Sequence, residues 1–214
     1  MRRILLLLLA LCGSALMTVM LIRNTAPILF SSGQPLTWPR AIDQTPLRVL
    51  SVLSYEGLYP EDGSREPVSK VAGIVLYNEG STTLSSGAVR LLQGDRILVF
   101  SFTMVPPGAK ILVVEKSRLP YSDEPITGLW GWSLEFHNNQ DLQVEEHGRS
   151  GLRITNLSKD VLESATVYYK LYDPTLELYI GGYTHRVTVY DLRPGVPRTV
   201  PAYRYSAGSC RVVN

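Results

Sequence analysis

Two cysteines and three histidines are all that this 214-residue chain offers for disulfide, thiolate or imidazole chemistry. Cys12 lies in an apolar run near the N-terminus, so Cys210 is the one cysteine of the remaining body and no intrachain disulfide can form there. The core alone must hold the fold. His137, His147 and His185 have no second His or Cys at ligand spacing, so His137 and His147 are expected in solvated loops and His185 on an apolar face, partly buried and hydrogen-bonded. No Gly-x-Ser-x-Gly turn is present, although triads also arise without that motif. The acidic pairs Glu61-Asp62 and Glu145-Glu146 lack the spaced oxygen ligands of a calcium loop and are expected on solvated faces. These shortages leave no catalytic, metal-ligating or cofactor-binding residue to nominate.

A charge of one sign is also missing. The 21 basic and 19 acidic residues give a net charge of +2, but Arg2, Arg3 and Arg23 flank the apolar run. All acidic residues follow it, so the body carries 18 basic against 19 acidic groups, a charge near −1. No basic footprint remains, and nucleic acid is not expected as a partner.

One long hydrophobic run does exist, Ile4 to Ile22, free of charge. At about 1.5 Å per residue a helix of that length spans the hydrocarbon of a bilayer. Residues 1–23 therefore read as a membrane anchor in contact with lipid through residues 4–22, with the N-terminus cytoplasmic and the body extracytoplasmic. A cleaved signal peptide ending at Gly13-Ser14-Ala15 is the alternative, and would secrete the body. Residues 24–46, with Ser31-Ser32-Gly33, Pro35, Pro39 and Pro46, read as a flexible linker whose Trp38 and Ile28 to Phe30 are placed at the membrane surface.

From Leu47 onward, short apolar or alternating runs separated by turn residues predict an all-β chain. Tyr55 to Pro67 reads as an exposed loop. Two tandem immunoglobulin-like β-sandwich modules are expected, over 47–127 and 128–214. An internal repeat supports them: at an offset of 78, Gly73, Leu76, Asn78, Leu84, Ser86 and Val89 fall on Gly151, Ile154, Asn156, Leu162, Ser164 and Val167. Pro107-Gly108 matches Pro194-Gly195 at an offset of 87, so nine extra residues sit around Pro174 to Gly182. Asn156-Leu157-Ser158 is formally a glycosylation sequon, but the recurrence of the asparagine at Asn78 favours a turn role. Alternation places Ala165, Val167, Tyr169 and Leu171 in the core and Thr166, Tyr168, Lys170 and Tyr172 on the opposite face.

Tyr169-Lys170-Leu171-Tyr172-Asp173 resembles the signature of the FxLYD domain, with Tyr169 in the first aromatic position. Asn156, Ser158, Val167 and Leu192-Arg193-Pro194-Gly195 extend the likeness over about Gly151 to Tyr203. The first copy departs from it, with Leu91-Leu92-Gln93-Gly94-Asp95 at the signature position. The resemblance implies an extracellular, immunoglobulin-like β-sandwich whose signature residues are structural, and it carries over no catalytic residue.

Two surfaces are candidates for partner binding. One joins Tyr168 and Tyr172 to the inserted loop with Leu178, Tyr179 and Ile180; the other is Trp130 and Trp132 in Gly128 to Trp132. The expected function is non-catalytic binding of a protein or cell-envelope partner by a membrane-anchored body. The alternatives are a structural spacer on the cell surface and a hydrolase acting on envelope material.

Overall fold

The computed structural model describes residues 34–62, 66–137 and 140–213, and the expected anchor lies outside them. Among the described residues no helix is long and apolar enough to cross a membrane. They form an all-β chain. In order, the strands are β1 (Arg40–Ala41), β2 (Leu47–Leu58), β3 (Pro67–Asn78), β4 (Leu84–Gln93), β5 (Arg96–Val105), β6 (Lys110–Val114) and β7 (Ile126–Glu135). There follow β8 (Leu142–His147), β9 (Gly151–Asn156), β10 (Leu162–Asp173), β11 (Leu178–Leu192), β12 (Arg198–Pro201) and β13 (Cys210–Val212).

The repeat seen in the sequence is a repeat of topology. In the first copy β2-β3-β6 faces β5-β4-β7; in the second β8-β9-β12 faces β11-β10-β13, each strand in the same chain order. Alternating side chains from both layers meet in each interior, as the period of a strand requires. Leu47, Ile74, Leu76, Ile111 and Val113 meet Val89, Leu91, Leu98 and Phe100 in the first core. Leu152 and Ile154 meet Ala165, Val167, Tyr169 and Val189 in the second, closed by Tyr205 and Cys210.

One asparagine turns the corner in both copies. Asn78 and Asn156 are each fully buried. Asn78 Nδ2 donates to the carbonyls of Thr82 (2.9 Å) and Val105 (3.0 Å), while its Oδ1 accepts the Gly80 N–H at 3.0 Å. Asn156 Nδ2 likewise donates to Asp160 (2.7 Å) and Leu192 (2.9 Å), and Oδ1 accepts the Ser158 N–H at 2.9 Å. Gly108 and Gly195 donate their N–H to the matching backbone carbonyls. The amide satisfies backbone groups that no strand partner reaches.

Several sequence expectations need correction. Strand β7 pairs with β4 along its length, Trp130 opposite Arg90 and Trp132 opposite Ala88. Gly128 to Glu135 therefore belongs to the first copy, and the division between copies falls after β7 rather than at residue 128. The described part of the expected linker is also structured. β1 pairs with β2, Ile42 is 2% exposed, and Leu36 and Trp38 pack on the first core instead of lying apart from it. Much of the expected loop over Tyr55 to Pro67 is ordered as well: β2 extends to Leu58, and Tyr59 is buried with its hydroxyl donating to the carbonyls of Glu115 and Lys116.

Replacing Asn78 or Asn156 by Ala removes two donors from buried carbonyls and should lower the unfolding free energy by about 2–3 kcal/mol in either copy. Equilibrium urea unfolding measures this; a loss in one copy only would show that the two corners are not equivalent.

Candidate functional site

The two copies do not hang as separate beads. Layer β2-β3-β6 of the first continues into β11-β10-β13 of the second, making with β1 one seven-stranded sheet. The join is parallel and short, Tyr179 opposite Ile111 and Ile180 opposite Leu112. Both tyrosine and isoleucine belong to the nine-residue insertion. The segment expected to be an exposed loop is thus largely strand, and its Leu178 is 7% exposed.

Two hydrogen-bonded pairs need help to define a fixed junction, and a wide bulge supplies it. Tyr169 pairs with His185 and Leu171 with Ile180, so Lys170 alone stands opposite Gly181, Gly182, Tyr183 and Thr184. Lys170 keeps the face that alternation predicts, opposite to that of Tyr169 and Leu171, and that face is covered here by the first copy and by the bulged segment of β11. The lysine side chain is fully buried. Nζ donates to the carbonyls of Thr103 (2.9 Å), Gly182 (3.1 Å) and Tyr183 (3.1 Å) and to Thr184 Oγ1 (3.0 Å). Four acceptors share the three protons of one ammonium, and Thr103 belongs to the first copy.

Glu61 approaches the same peptide from the first copy. Its Oε2 accepts the Gly182 N–H at 2.7 Å and its Oε1 the Val114 N–H at 2.8 Å. The expectation of a solvated Glu61-Asp62 pair therefore fails for Glu61, whose carboxylate turns inward. Arg118 clamps the segment that carries it, pairing with Asp62 at 2.9 Å and Glu66 at 2.8 Å while lying 4.5 Å over the Tyr59 ring. Gly181 and Gly182 are required by this closeness. A Cβ on Gly182 would sit 1.9 Å from the Ser101 carbonyl oxygen, and Gly181 has φ +84° with Pro60 against it.

Burial sets the electrostatics. Desolvation pushes Glu61 up to about 7, opposed by N–H donors from Val114 and Gly182 and by the charge of Lys170. Desolvation likewise pulls Lys170 down to about 7, with Glu61 opposing. The two groups meet at Gly182, Glu61 holding its N–H and Lys170 its carbonyl.

The second feature is a groove of about 520 Å³ between the copies. Its walls come from the turn at 106–109 and from Tyr77 and Lys110 on the first copy, and from Tyr172, Glu177, Tyr179 and Arg211 on the second. Tyr172 and Tyr179 meet edge to face with centroids 5.1 Å apart, and the Arg211 guanidinium lies 3.6 Å over Tyr172. A smaller cleft of about 170 Å³ is lined by residues including Glu61, Thr103, Lys116 and Tyr183.

The nominated residues separate accordingly. Tyr172 and Tyr179 come together in the groove. Tyr172 keeps the face opposite the second core, as alternation predicts, but is only 8% exposed because Tyr179 and Arg211 cover its ring. Ile180 serves the join. Tyr168 is half-buried, edge to face with Phe136. Trp130 and Trp132 lie on β7, away from the groove lining; Trp130 is half-buried with its indole N–H unpartnered among the described residues, and Trp132 is 38% exposed. Among the described residues no three His, Cys, Asp or Glu side chains converge as a metal site. Sequence reasoning missed Glu61, Lys170, Lys110 and Arg211. Gly181-Gly182 was the available signal for the bulge, since paired glycines in a strand mark close backbone approach.

Comparison with known proteins returns no match: no family model, no curated protein and no solved structure is similar to the chain.

Lys170→Met should remove one donor each from the Thr103, Gly182 and Tyr183 carbonyls, the first two keeping a hydroxyl donor, and cost about 2–4 kcal/mol of stability. The pH dependence has a defined sign. Because the Glu61 value in the fold lies above its ordinary 4.5, its contribution to stability is full below pH 4.5 and is lost as pH rises through 7. Because the Lys170 value lies below its ordinary 10.5, stability recovers between pH 7 and 10.5. The melting temperature should therefore dip near neutrality, with Glu61→Gln flattening the acid limb and Lys170→Met the alkaline one. Limbs unchanged in both variants would show that the pair does not titrate this way.

Proposed function

We propose that this protein is a membrane-tethered, extracytoplasmic and non-catalytic body that binds a protein partner in the groove between its two copies. The observation that carries the reading is the buried seam. Lys170 and Glu61 tie the copies through the backbone at Gly182 and Thr103, so groove walls drawn from both copies are held in register before any partner arrives. Walls fixed in advance reduce the ordering cost of association. The tether rests on the apolar run Ile4 to Ile22 and its flanking arginines.

The finer reading of each copy is an immunoglobulin-like sandwich, supported by two facing antiparallel layers, with the second copy FxLYD-like. In that reading the signature tyrosine is structural: Tyr169 is 1% exposed, stacked on His185, and donates its hydroxyl to the Tyr203 carbonyl. A spacer is the second reading, favoured by the use of Ile180 and Leu178 within the chain instead of at its surface. The hydrolase reading has least support, because Glu177 is the one carboxylate among the groove's lining residues.

Photo-crosslinking in cells of the native host tests the proposal. A benzophenone side chain in place of exposed Pro107, on the groove rim, should give a discrete protein adduct, while the same group in place of exposed Val196 should not. Adducts from neither position would favour the spacer, and equal adducts from both would remove the groove as the site.

A further inference from the structure

The groove holds two cations against a single carboxylate, Glu177. Lys110 and Arg211 both line it, and neither makes an ion pair among the described residues. Arg48, Arg96 and Arg118 are paired with carboxylates, whereas several other arginines, Arg90 and Arg153 among them, make no ion pair among the described residues either; what sets Lys110 and Arg211 apart is that they line one groove. Since the body as a whole carries almost no net charge, the excess of one positive charge, two cations against Glu177, is local to the groove. A field of that kind acts at short range and is screened by salt.

Arg211 is also presented in a particular way. Its guanidinium lies 3.6 Å over the Tyr172 ring, and Tyr172 is pinned in turn by Tyr179. Stacking uses the face of the guanidinium and leaves the N–H groups at its edge to donate, which is the geometry that receives a carboxylate. Held by the ring, the side chain loses less freedom when it does so.

The remaining lining decides between classes of acidic ligand. Tyr77, Tyr172 and Tyr179 stand beside arginine, and tyrosine with arginine is the composition of protein–protein contact centres. About 520 Å³ falls in the range of small-ligand clefts, so it admits a short segment and not a folded surface.

We propose that the groove takes a short acidic peptide segment of a partner protein, its carboxylates paired with Lys110 and Arg211 and its apolar side chains laid on Tyr77 and Tyr179. This rests on the reading of the groove as the partner site. Glu177 sets the polarity, repelling the ligand's charges and so fixing the end at which they lie.

Fluorescence anisotropy on the full-length chain in mild detergent tests it. The probe is a short fluorescein-labelled peptide alternating Glu and Leu, with a Gln and Leu peptide and an oligogalacturonate as comparisons. The acidic peptide should bind, with affinity falling as salt rises, and the Gln peptide should bind about tenfold more weakly or not at all. Lys110→Ala with Arg211→Ala should weaken binding about tenfold or more, and Glu177→Gln should strengthen it by a few-fold. Arg211→Lys, which keeps charge but loses the planar fork, should restore part of the loss. If the double variant melts early, Lys110→Glu alone carries the test, because that side chain is exposed. Equal binding of the Gln peptide, or variants that bind as wild type, would overturn the proposal. Oligogalacturonate binding without peptide binding would also overturn it, in favour of an acidic glycan. Failure of every probe while Pro107 still yields an adduct would reject the acidic ligand and leave the groove as a partner site.

Discussion

A single buried ammonium governs how this chain is put together. Lys170 satisfies carbonyls of both copies at once, sharing those of Gly182 and Thr103 with the Thr103 and Thr184 hydroxyls and reaching the Tyr183 carbonyl as well. On the far side of the bulge the start of β11 keeps its pairing with β10, Leu178 to Ile180 opposite Asp173 to Leu171, and pairs along its other edge with β6. From this follow the continuous sheet, the fixed placement of Tyr179, and a groove with one wall from each copy. A buried charge is a poor source of net stability, because desolvation offsets much of what its contacts contribute. Its value here is specificity: few other arrangements of the two copies would give Lys170 a comparable set of acceptors.

The repeat makes the purpose of the insertion visible. β6 in the first copy and β12 in the second occupy equivalent edges, and an open edge invites pairing with another chain. In the first copy the insertion of the second covers that edge. In the second copy the edge is left short, four residues ending in Pro201, which limits what can pair with it. Two copies of one topology are thus joined asymmetrically, and the residues that differ between them, Lys170, Gly181 and Gly182, are those that make the join.

Much of this was legible in the sequence. Alternation in β10 located Ala165, Val167 and Tyr169 correctly in the core, and the recurrence of Asn78 at Asn156 revealed the copies and their corners. The failures share a cause. Alternation put Lys170 and Tyr172 on the face opposite the second core, where they are, but could not show that the first copy, the bulged segment and Arg211 bury that face. Composition marked Tyr55 to Pro67 as loop, yet Tyr59 and Glu61 are held by groups more than fifty residues away. Trp130 and Trp132 were assigned to the second copy because turn residues precede them, whereas pairing with β4 decides the matter. The groove needed both copies in place: Lys110 and Arg211 are ordinary surface cations in sequence and come to line one groove only across the seam.

The central claim, that the seam fixes the two copies as one body, is tested most directly by a pulsed electron-paramagnetic distance measurement. Spin labels placed at Asp95 of the first copy and Val196 of the second, in the intact chain and in Gly182→Val, report the distribution of separations. The account predicts one narrow distribution in the intact chain and a broad one in the variant, where a side chain must displace the Ser101 carbonyl. A broad distribution in the intact chain, or a narrow one unchanged by the substitution, would contradict it.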